Sequence, residues 1–253
     1  MVMDKPLRVA LFVTCLVDQL YPEVGVAAVK LLRRAGCQVE FPAQQTCCGQ
    51  PFFNSGFRQQ AAALARRTIE IFEPYEAVVL PSGSCTSMIR LEYAHLFEDE
   101  PEWQERARQL AARTYELSDF LVNRLGWLPD RPAIREESAQ TSVTYHDSCH
   151  MNRLLGLGQE SRQLLEAAGV SLREMGDSER CCGFGGVFTA RMPEVSTAMT
   201  AEKLRQAAET GAPTVVTADP GCLMQMRGLV GDNGPKVKHL ATLLEERTRP
   251  ENE

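Results

Sequence analysis

The tripeptides Cys47-Cys48-Gly49 and Cys181-Cys182-Gly183 lie 134 residues apart in this 253-residue chain, counting 181 − 47. Each is preceded by one cysteine, 32 residues earlier, and followed by one later cysteine. The two matching sets are Cys15, Cys47, Cys48 and Cys85 in the first copy and Cys149, Cys181, Cys182 and Cys222 in the second. The first three pairs share the offset of 134, and the last pair differs by 222 − 85, which is 137. Eight of the nine cysteines therefore belong to a duplicated unit, and only Cys37 lies outside it.

Apolar runs alternate with segments of helical periodicity in both copies. In the first copy the spacing predicts strands over 7–15, 37–41 and 77–80 and helices over 22–35 and 57–72. In the second copy it predicts strands over 142–145, 171–175 and 214–218 and helices over 160–168 and 194–209. Strands that alternate with helices form parallel βαβ units. We therefore expect an α/β fold of two pseudo-symmetric, Rossmann-like βαβ repeats with parallel sheets, joined by a helix.

The segment between the copies has a different pattern. Apolar residues recur at helical spacing over 102–125, which predicts one connecting helix packed across both halves. Prolines and mixed charges over 130–141 predict a flexible linker, and we expect the charged tail from Glu245 onward to fray. The expected domains are residues 1–100 for the first repeat, 101–141 for the connecting helix and linker, and 142–253 for the second repeat.

The composition is that of a globular protein without a nucleic-acid surface. Hydrophobic residues make up 44% and charged residues 24% of the chain, and the formal net charge is −6. Because acidic chains approach phosphates unfavourably, we expect no nucleic-acid partner. The first residues lack a secretory signal pattern, and no apolar stretch reaches the roughly 18 residues that would predict a transmembrane segment. We expect a cytoplasmic protein, whose reduced thiols serve as ligands or catalysts more often than as disulfides.

The duplicated cysteines favour soft metals, because thiolates select zinc, copper(I) and iron–sulfur clusters. The side chains of adjacent cysteines such as Cys47 and Cys48 point in different directions on an extended chain. Their sulfurs are therefore better placed to bind separate irons of one cluster than to bind one tetrahedral ion together. Zinc sites favour Cys-x2-Cys pairs, whereas Ser82 and Asp219 stand where such pairs would have their first sulfur. The pattern therefore predicts an iron–sulfur site in at least one copy, with zinc or buried reduced thiols as alternatives. Cys37 is expected to be a buried structural thiol.

Few other residues indicate chemistry. His146 and His150 could replace a thiolate or relay protons, but hydrogen bonding around their loop is the simpler interpretation. Asp147 is expected to cap the following turn, and Asp219 to be a turn residue rather than a hard metal ligand. The glycine-rich loop over 183–186 matches neither the dinucleotide fingerprint nor a Walker loop, so it predicts no flavin or NAD site.

The duplicated pattern resembles the cysteine-rich CCG domain. Two copies of Cys-x31-Cys-Cys-Gly followed by a late cysteine are typical of that family, and the resemblance covers essentially the whole chain. It is carried by residues 46–51 (TCCGQP), 145–150 (YHDSCH) and 181–186 (CCGFGG). The domain occurs in one of the subunits of heterodisulfide reductase and in the glycolate oxidase iron–sulfur subunit. The chain is most similar to the small stand-alone members of the lactate-utilisation protein A (LutA/YkgE) type. Larger relatives often have five cysteines per copy, with a closing Cys-x2-Cys that this chain lacks.

The resemblance implies an iron–sulfur electron-transfer subunit of a multi-protein complex that oxidises L-lactate to pyruvate. Its partners would be a larger LutB-type iron–sulfur protein and a small LutC-type companion subunit. Four cysteines per copy fit a [4Fe-4S] cluster, one or two per chain, with zinc possible in one repeat. The chain would be a non-autonomous subunit of an oxidoreductase, with no catalytic residue assigned to it. A zinc-stabilised structural subunit and a heterodisulfide-reductase-like or glycolate-oxidase-like subunit stay open as alternatives.

Overall fold

The computed structural model describes residues 6–129 and 142–250, and over these ranges the chain forms two four-stranded sheets. The first sheet consists of β1 (Arg8–Leu11), β2 (Gln38–Glu40), β3 (Ala77–Leu80) and β4 (Thr114–Glu116). The second consists of β5 (Ser142–Tyr145), β6 (Ser171–Leu172), β7 (Thr214–Thr217) and β8 (Lys236–His239). The strand orders are β2-β1-β3-β4 and β6-β5-β7-β8, and all neighbouring strands are parallel.

Helices connect the strands of each sheet. In the first half they are α1 (Cys15–Leu20), α2 (Pro22–Arg34), α3 (Gln50–Asn54), α4 (Arg58–Phe72), α5 (Gly83–Ser87), α6 (Pro101–Ala112) and α7 (Leu117–Asp119). In the second half they are α8 (Glu160–Ala167), α9 (Val187–Arg191), α10 (Pro193–Glu209), α11 (Pro220–Leu229) and α12 (Leu240–Thr248). π-Helical turns occupy Met88–Glu92, Phe120–Arg124 and His150–Leu154, and a 3-10 turn occupies Ala94–Phe97.

The two sheets share one register. Val9 pairs with Ala77 in the first sheet, and Val143 pairs with Thr214 in the second. These residues are repeat equivalents, since 143 − 9 is 134 and 214 − 77 is 137. Strands β3, β5 and β7 are buried at every residue, because helices cover both faces of a parallel sheet and leave it no solvent side. The predicted α/β class with two repeated parallel units is confirmed.

One hydrophobic core passes through both halves. Helices α2 and α12 pack against each other, and Leu31 and Leu244 are fully buried within this core. A second cluster in the first half includes Phe12 and Phe72, whose stacked rings have centroids 4.9 Å apart. Because the halves share a core, the loops that follow their strands are held in a common arrangement.

The single connecting helix predicted over 102–125 is wrong. Helix α6 ends before strand β4, which pairs with β3 so that Val78 lies opposite Thr114, and α7 follows the strand. Thr114 and Glu116 are both buried, and Tyr115 between them is half-buried. In so short a strand, this alternation is easily mistaken for the buried face of a helix. Strand β3 has backbone groups at its edge that can pair with another strand. Thr114 is β-branched and therefore favours this pairing over an extension of helix α6.

The C-terminal helix is ordered through Glu245, so the predicted fraying from that residue is wrong. Glu245 is only 5% exposed and forms ion pairs with Lys30 at 3.3 Å, Arg34 at 3.2 Å and Arg249 at 2.7 Å. The cations on α2 anchor α12 to the first half, an interaction that no local sequence pattern reveals.

Two other expectations concern the linker and the membrane. The linker predicted over 130–141 lies outside the described residues, and the domain boundaries stay a prediction. Within residues 6–129 and 142–250, no helix has both the length and the apolar character to cross a membrane.

Strand β4 ends at a buried carboxyl group. Glu116 is fully buried and accepts the backbone N–H of Ser118 at 2.6 Å and that of Asp119 at 3.4 Å, which caps α7. Burial disfavours the charged carboxylate and raises the pKa of Glu116 from 4.5 to about 8.

The buried carboxyl predicts a pH-dependent stability. The folded state binds the Glu116 proton more tightly than the unfolded chain does, so its contribution is complete below pH 4.5 and is lost as the pH rises through about 8. Glu116→Gln should remove this decline, whose slope is at most about 1.4 kcal/mol per pH unit. Urea unfolding at several pH values measures it, with the exposed Glu105→Gln as control. Parallel pH profiles for wild type and Glu116→Gln would contradict the assignment.

Candidate metal centre

Strand ends place the cysteine loops of each half. Cys15 begins α1 just after β1, and Cys85 lies in α5 just after β3. Cys149 and Cys222 follow β5 and β7 in the same way. Because the carboxyl ends of parallel strands lie at one edge of a sheet, these loops meet there with the Cys-Cys-Gly loop that follows β2 or β6.

In the first half the two adjacent cysteines turn to different partners. The Sγ atom of Cys47 lies 3.7 Å from that of Cys15, whereas the Sγ atom of Cys48 lies 3.3 Å from that of Cys85. All four are free thiols, with Cys48 and Cys85 buried and the other two half-buried. The backbone N–H of Gly49 donates to the Cys47 sulfur at 3.4 Å. The pair therefore directs its sulfurs to two separate places, as the sequence predicts.

The second half repeats this arrangement. The Sγ atoms of Cys182 and Cys222 lie 3.1 Å apart and are buried. The N–H of Gly183 donates to the Cys181 sulfur at 3.4 Å. Cys149 and Cys181 are half-buried free thiols, like their counterparts in the first half. The second half thus repeats the buried pair of sulfurs and the glycine N–H contact of the first.

One sulfur in the first half and two in the second are favoured as thiolates; in the second half the hydrogen bond with Cys182 also lowers the pKa of Cys222 to about 7. Hydrogen bonds from the neighbouring cysteines and from the following glycine N–H lower the pKa of Cys47 and, equivalently, that of Cys181. The hydrogen bonds of Cys48 and Cys182 with their neighbouring thiols, together with burial, raise the pKa of these two residues. Each half therefore presents an anionic sulfur beside further thiols, which is the electrostatic preparation for a cation.

The glycine of each tripeptide is required by the backbone. Gly49 and Gly183 have φ angles of +88° and +91°, in the left-handed region where a side chain is strained. A Cβ atom at Gly183 would also lie 2.5 Å from the carbonyl oxygen of Ser196, and one at Gly49 would lie 3.3 Å from that of Ala61. Only glycine lets the loop turn its N–H toward sulfur while it passes so close to a helix.

All eight repeated cysteines line one cavity of about 160 Å³. The cavity lies between the two halves, and its wall also includes Thr14, Gln50, Ser84, Phe184 and Asp219. Cys37 is not among the lining residues; it is buried in the core, and burial raises the pKa of its thiol. The structure therefore brings together the eight predicted ligands and separates the ninth cysteine from them.

Asp219 joins the two halves at this cavity. Its Oδ2 atom accepts the backbone N–H of Ser84 in the first half at 2.7 Å. Its Oδ1 atom accepts the N–H groups of Gly221 at 3.0 Å and Cys222 at 3.4 Å, which caps α11. One buried carboxylate thus holds the loops of Cys85 and Cys222 together.

A second bridge involves His150. The side-chain amide of Gln50 donates to Nε2 of His150 at 3.2 Å and to the carbonyl oxygen of Ser84 at 3.0 Å. With Nε2 accepting, the proton of the imidazole lies on Nδ1, which is 3.6 Å from the Cys149 sulfur. Hydrogen bonding around the loop, the simpler of the two interpretations from sequence, describes this histidine.

Asp147 has a different role from the predicted turn cap. Its carboxylate forms a bidentate ion pair with Arg162, at 2.9 and 2.8 Å. Although burial opposes its charge, this guanidinium holds the pKa of Asp147 below its usual range. The partner lies 15 residues away on α8, which is why the local sequence did not indicate it.

Several buried polar groups that hold the cysteine loops escaped the sequence analysis. The Tyr93 hydroxyl donates to the carbonyl oxygen of Cys48 at 2.8 Å, and the Thr200 hydroxyl donates to that of Cys182 at 2.7 Å. Lys203 is fully buried and donates to the carbonyl oxygens just before Cys181. These residues occupy ordinary positions in or beside helices, so the sequence does not distinguish them from other polar residues.

The donor set fits a soft metal. Sulfur atoms 3.1 to 3.7 Å apart approach the separation of about 3.8 Å between two sulfurs on one tetrahedral ion with bonds of 2.3 Å. They are far from the 2.05 Å of a disulfide. Closely packed thiolates repel each other unless a cation lies among them, and thiolates select zinc, copper(I) or iron–sulfur clusters.

The glycine geometry predicts a graded loss of stability. Gly183→Ala combines the left-handed φ, which costs about 1–2 kcal/mol, with a contact of 2.5 Å to the Ser196 carbonyl. The control Gly36→Ala has a φ of +85° but no atom within 4 Å, so it isolates the backbone strain. Denaturant unfolding should show a larger loss for Gly183→Ala. Equal losses would mean that the close approach is unimportant.

The bridging carboxylate predicts a second stability effect. Asp219→Ala leaves the buried N–H groups of Ser84, Gly221 and Cys222 without their acceptor, which should cost about 2–4 kcal/mol. Asp219→Asn keeps one acceptor oxygen and should recover part of this loss. The exposed Asp232→Ala is the control and should change the free energy of unfolding by less than about 0.5 kcal/mol. A similar small effect at both sites would exclude a bridging role.

The chain matches the family described as "Cysteine-rich domain" (CCG) over residues 9–90 and 143–227. It is 50% identical over 252 residues to lactate utilization protein A of Halalkalibacterium halodurans, which covers 97% of this chain and 100% of that protein. It is 48% identical over 244 residues to lactate utilization protein A of Bacillus subtilis, which covers 95% of this chain and 100% of that protein.

A crystal structure of a hypothetical protein from Helicobacter pylori has a similar fold, with a TM-score of 0.69 and 10% identity. The match covers 98% of this chain and 50% of that one, so the chain spans half the length of that structure. At this identity the likeness shows the fold alone. The duplicated cysteine loops and the full-length sequence matches lead to one conclusion: the chain belongs to the cysteine-rich (CCG) domain family, in the group of lactate utilization protein A.

Proposed function

We propose that this chain is an iron–sulfur electron-transfer subunit of a multi-protein complex that oxidises L-lactate to pyruvate. The observation that supports it most strongly is the convergence of eight free cysteines, in two matching sets, on one cavity. Four thiols per half match the four irons of a [4Fe-4S] cluster. This number and its repetition support the cluster, whereas the 3.1 to 3.7 Å spacing of the paired sulfurs is that of two ligands on one ion. We propose a cytoplasmic location, a compartment in which the thiols would stay reduced.

The ligand assignment follows the two sets. In the first half the cluster would be held by Cys15, Cys47, Cys48 and Cys85, and in the second by Cys149, Cys181, Cys182 and Cys222. A bound cluster supplies reversible one-electron transfer. The protein contributes the N–H groups of Gly49 and Gly183, which donate to sulfur and thereby favour the reduced, more negative state.

The lactate assignment rests on the relatives. Proteins named lactate utilization protein A match the chain over nearly its whole length, and oxidation of L-lactate to pyruvate releases an electron pair and a pair of protons. An electron carrier can accept those electrons from a partner that binds the substrate. We propose that a LutB-type iron–sulfur protein and a LutC-type companion subunit are those partners, and that this chain is not catalytic by itself.

A zinc-stabilised structural subunit is the second candidate. One group favours it: a ring nitrogen of His146 and the sulfurs of Cys182 and Cys222 all lie within 4.8 Å of one another. Two thiolates and an imidazole are a common part of a tetrahedral zinc site. Such a site would stabilise the fold without transferring electrons.

The metal content separates the two candidates. Protein purified without oxygen should contain about four or about eight irons with equal sulfide, and dithionite should produce an electron paramagnetic resonance signal. Cys181→Ser should abolish the signal of the second half, whereas Cys37→Ser, which changes a core thiol outside the cavity, should leave it intact. Zinc without sulfide, or equal loss in both variants, would contradict the iron–sulfur proposal.

A further inference from the structure

The two cysteine sets have corresponding positions in the two halves but different surroundings. The offset of 134 aligns Tyr145-His146-Asp147 with Leu11-Phe12-Val13. On the helices, Gly49 approaches Ala61 as Gly183 approaches Ser196, an offset of 135 that aligns Lys203 with Thr68. We propose that the two clusters therefore have different reduction potentials, with the second half at the higher potential, so that electrons pass from the first half to the second. This inference rests on the proposed function, because it requires an iron–sulfur site in each half.

His146 is the first difference. Its side chain is fully buried, and neither ring nitrogen has a hydrogen-bond partner among the described residues. A ring nitrogen lies within 4.8 Å of the sulfurs of Cys182 and Cys222. An imidazole always has at least one N–H group, and a buried donor without a partner is costly. The imidazole N–H of His146 is thus placed to interact with the negative charge of the second set of sulfurs and of a cluster bound to them.

The first half has an apolar residue at this position. Phe12, at 146 − 134, is fully buried and stacks on Phe72 with centroids 4.9 Å apart. It has no N–H group or dipole to stabilise negative charge on Cys48 or Cys85. The two halves therefore differ in polarity directly behind their buried pair of thiols.

Lys203 is the second difference. Its side chain is fully buried on α10, and Nζ donates to the carbonyl oxygens of Asp177 at 2.6 Å and Ser178 at 3.2 Å. These residues lie just before Cys181 and Cys182 in the chain. Burial lowers the pKa of Lys203, whereas its attraction to Asp177 and Cys182 favours its charged form. The equivalent residue on α4 is Thr68, which is buried and uncharged.

The acidic groups nearby do not cancel this difference. Asp147 is the buried carboxylate beside His146, and Arg162 neutralises it through a bidentate ion pair. Asp177 is partly exposed and paired with Arg180 at 2.8 Å, so solvent screens it. Asp219, whose counterpart in the first half is Ser82, acts on Cys149 and Cys222 of the second set. Its carboxylate accepts three backbone N–H groups, which offset its negative charge.

The direction of the effect follows from electrostatics. Reduction adds one negative charge to a cluster, and a buried cation or an N–H dipole stabilises that charge more strongly than an apolar wall does. Hydrogen bonds and net charge near the sulfurs are known determinants of cluster potential. When an electron moves between the halves, the first cluster is oxidised by one electron and the second is reduced by one, and no bond is made or broken.

A redox titration tests the inference. The full chain, purified without oxygen, is titrated with a graded series of mediators while visible absorbance and electron paramagnetic resonance are recorded. We expect two one-electron steps at separate potentials. His146→Phe should lower the higher potential and leave the lower one in place, and Lys203→Thr should shift the same step in the same direction. His95→Phe, at an exposed residue paired with Glu98, should change neither.

The reciprocal exchange makes the test sharper. Phe12→His should raise the lower potential, because it introduces into the first half the group that distinguishes the second. Both exchanges use a residue that the other half already accommodates, and the wild-type titration is informative even if one variant does not fold.

The possible failures are distinguishable. A wild-type protein without iron or sulfide overturns the proposed function and this inference together. Iron–sulfur signals with one common potential, or from one half only, overturn the inference and leave electron transfer standing. An unchanged higher potential in a cluster-containing His146→Phe protein excludes His146 as a cause of the difference.

Discussion

The closeness of eight reduced sulfurs is the constraint on which the rest of the structure depends. Within each half, thiols are held 3.1 to 3.7 Å apart, too far for a disulfide and close enough that two thiolates would repel. The parallel sheets create this condition, because their carboxyl ends direct the cysteine loops to one edge. A cation among the sulfurs removes the repulsion, so the fold and the inferred metal chemistry depend on each other.

The duplication also explains how one chain builds a shared site. The core around α2 and α12 fixes the two sheets, and the Asp219 carboxylate connects the loops of Cys85 and Cys222. Gly83 is packed so tightly against Met151 that a Cβ there would lie 2.1 Å from the Met151 Cγ. Contacts of this kind place the two sets of thiols around one cavity, where, under the proposed function, electrons would pass between them without crossing bulk solvent.

Sequence reasoning succeeded where the pattern is local and failed where partners are distant. The spacing of Cys15, Cys47, Cys48 and Cys85 and its repetition predicted both the repeated unit and the residues that the structure brings together. The continuous helix over 102–125 was wrong because strand β4 depends on its pairing with the distant strand β3, which local spacing does not reveal. Glu245 and Asp147 were misjudged for the same reason, since their counter-ions lie on other helices. Lys203 gave no signal at all, because a lysine in a helix is normally exposed.

Iron K-edge X-ray absorption on the protein purified without oxygen tests the central claim most directly. If the eight cysteines hold iron–sulfur clusters, the iron atoms have a first shell dominated by sulfur and show scattering from neighbouring irons. A first shell of oxygen and nitrogen without iron–iron scattering, or the presence of zinc in place of iron, would contradict the account.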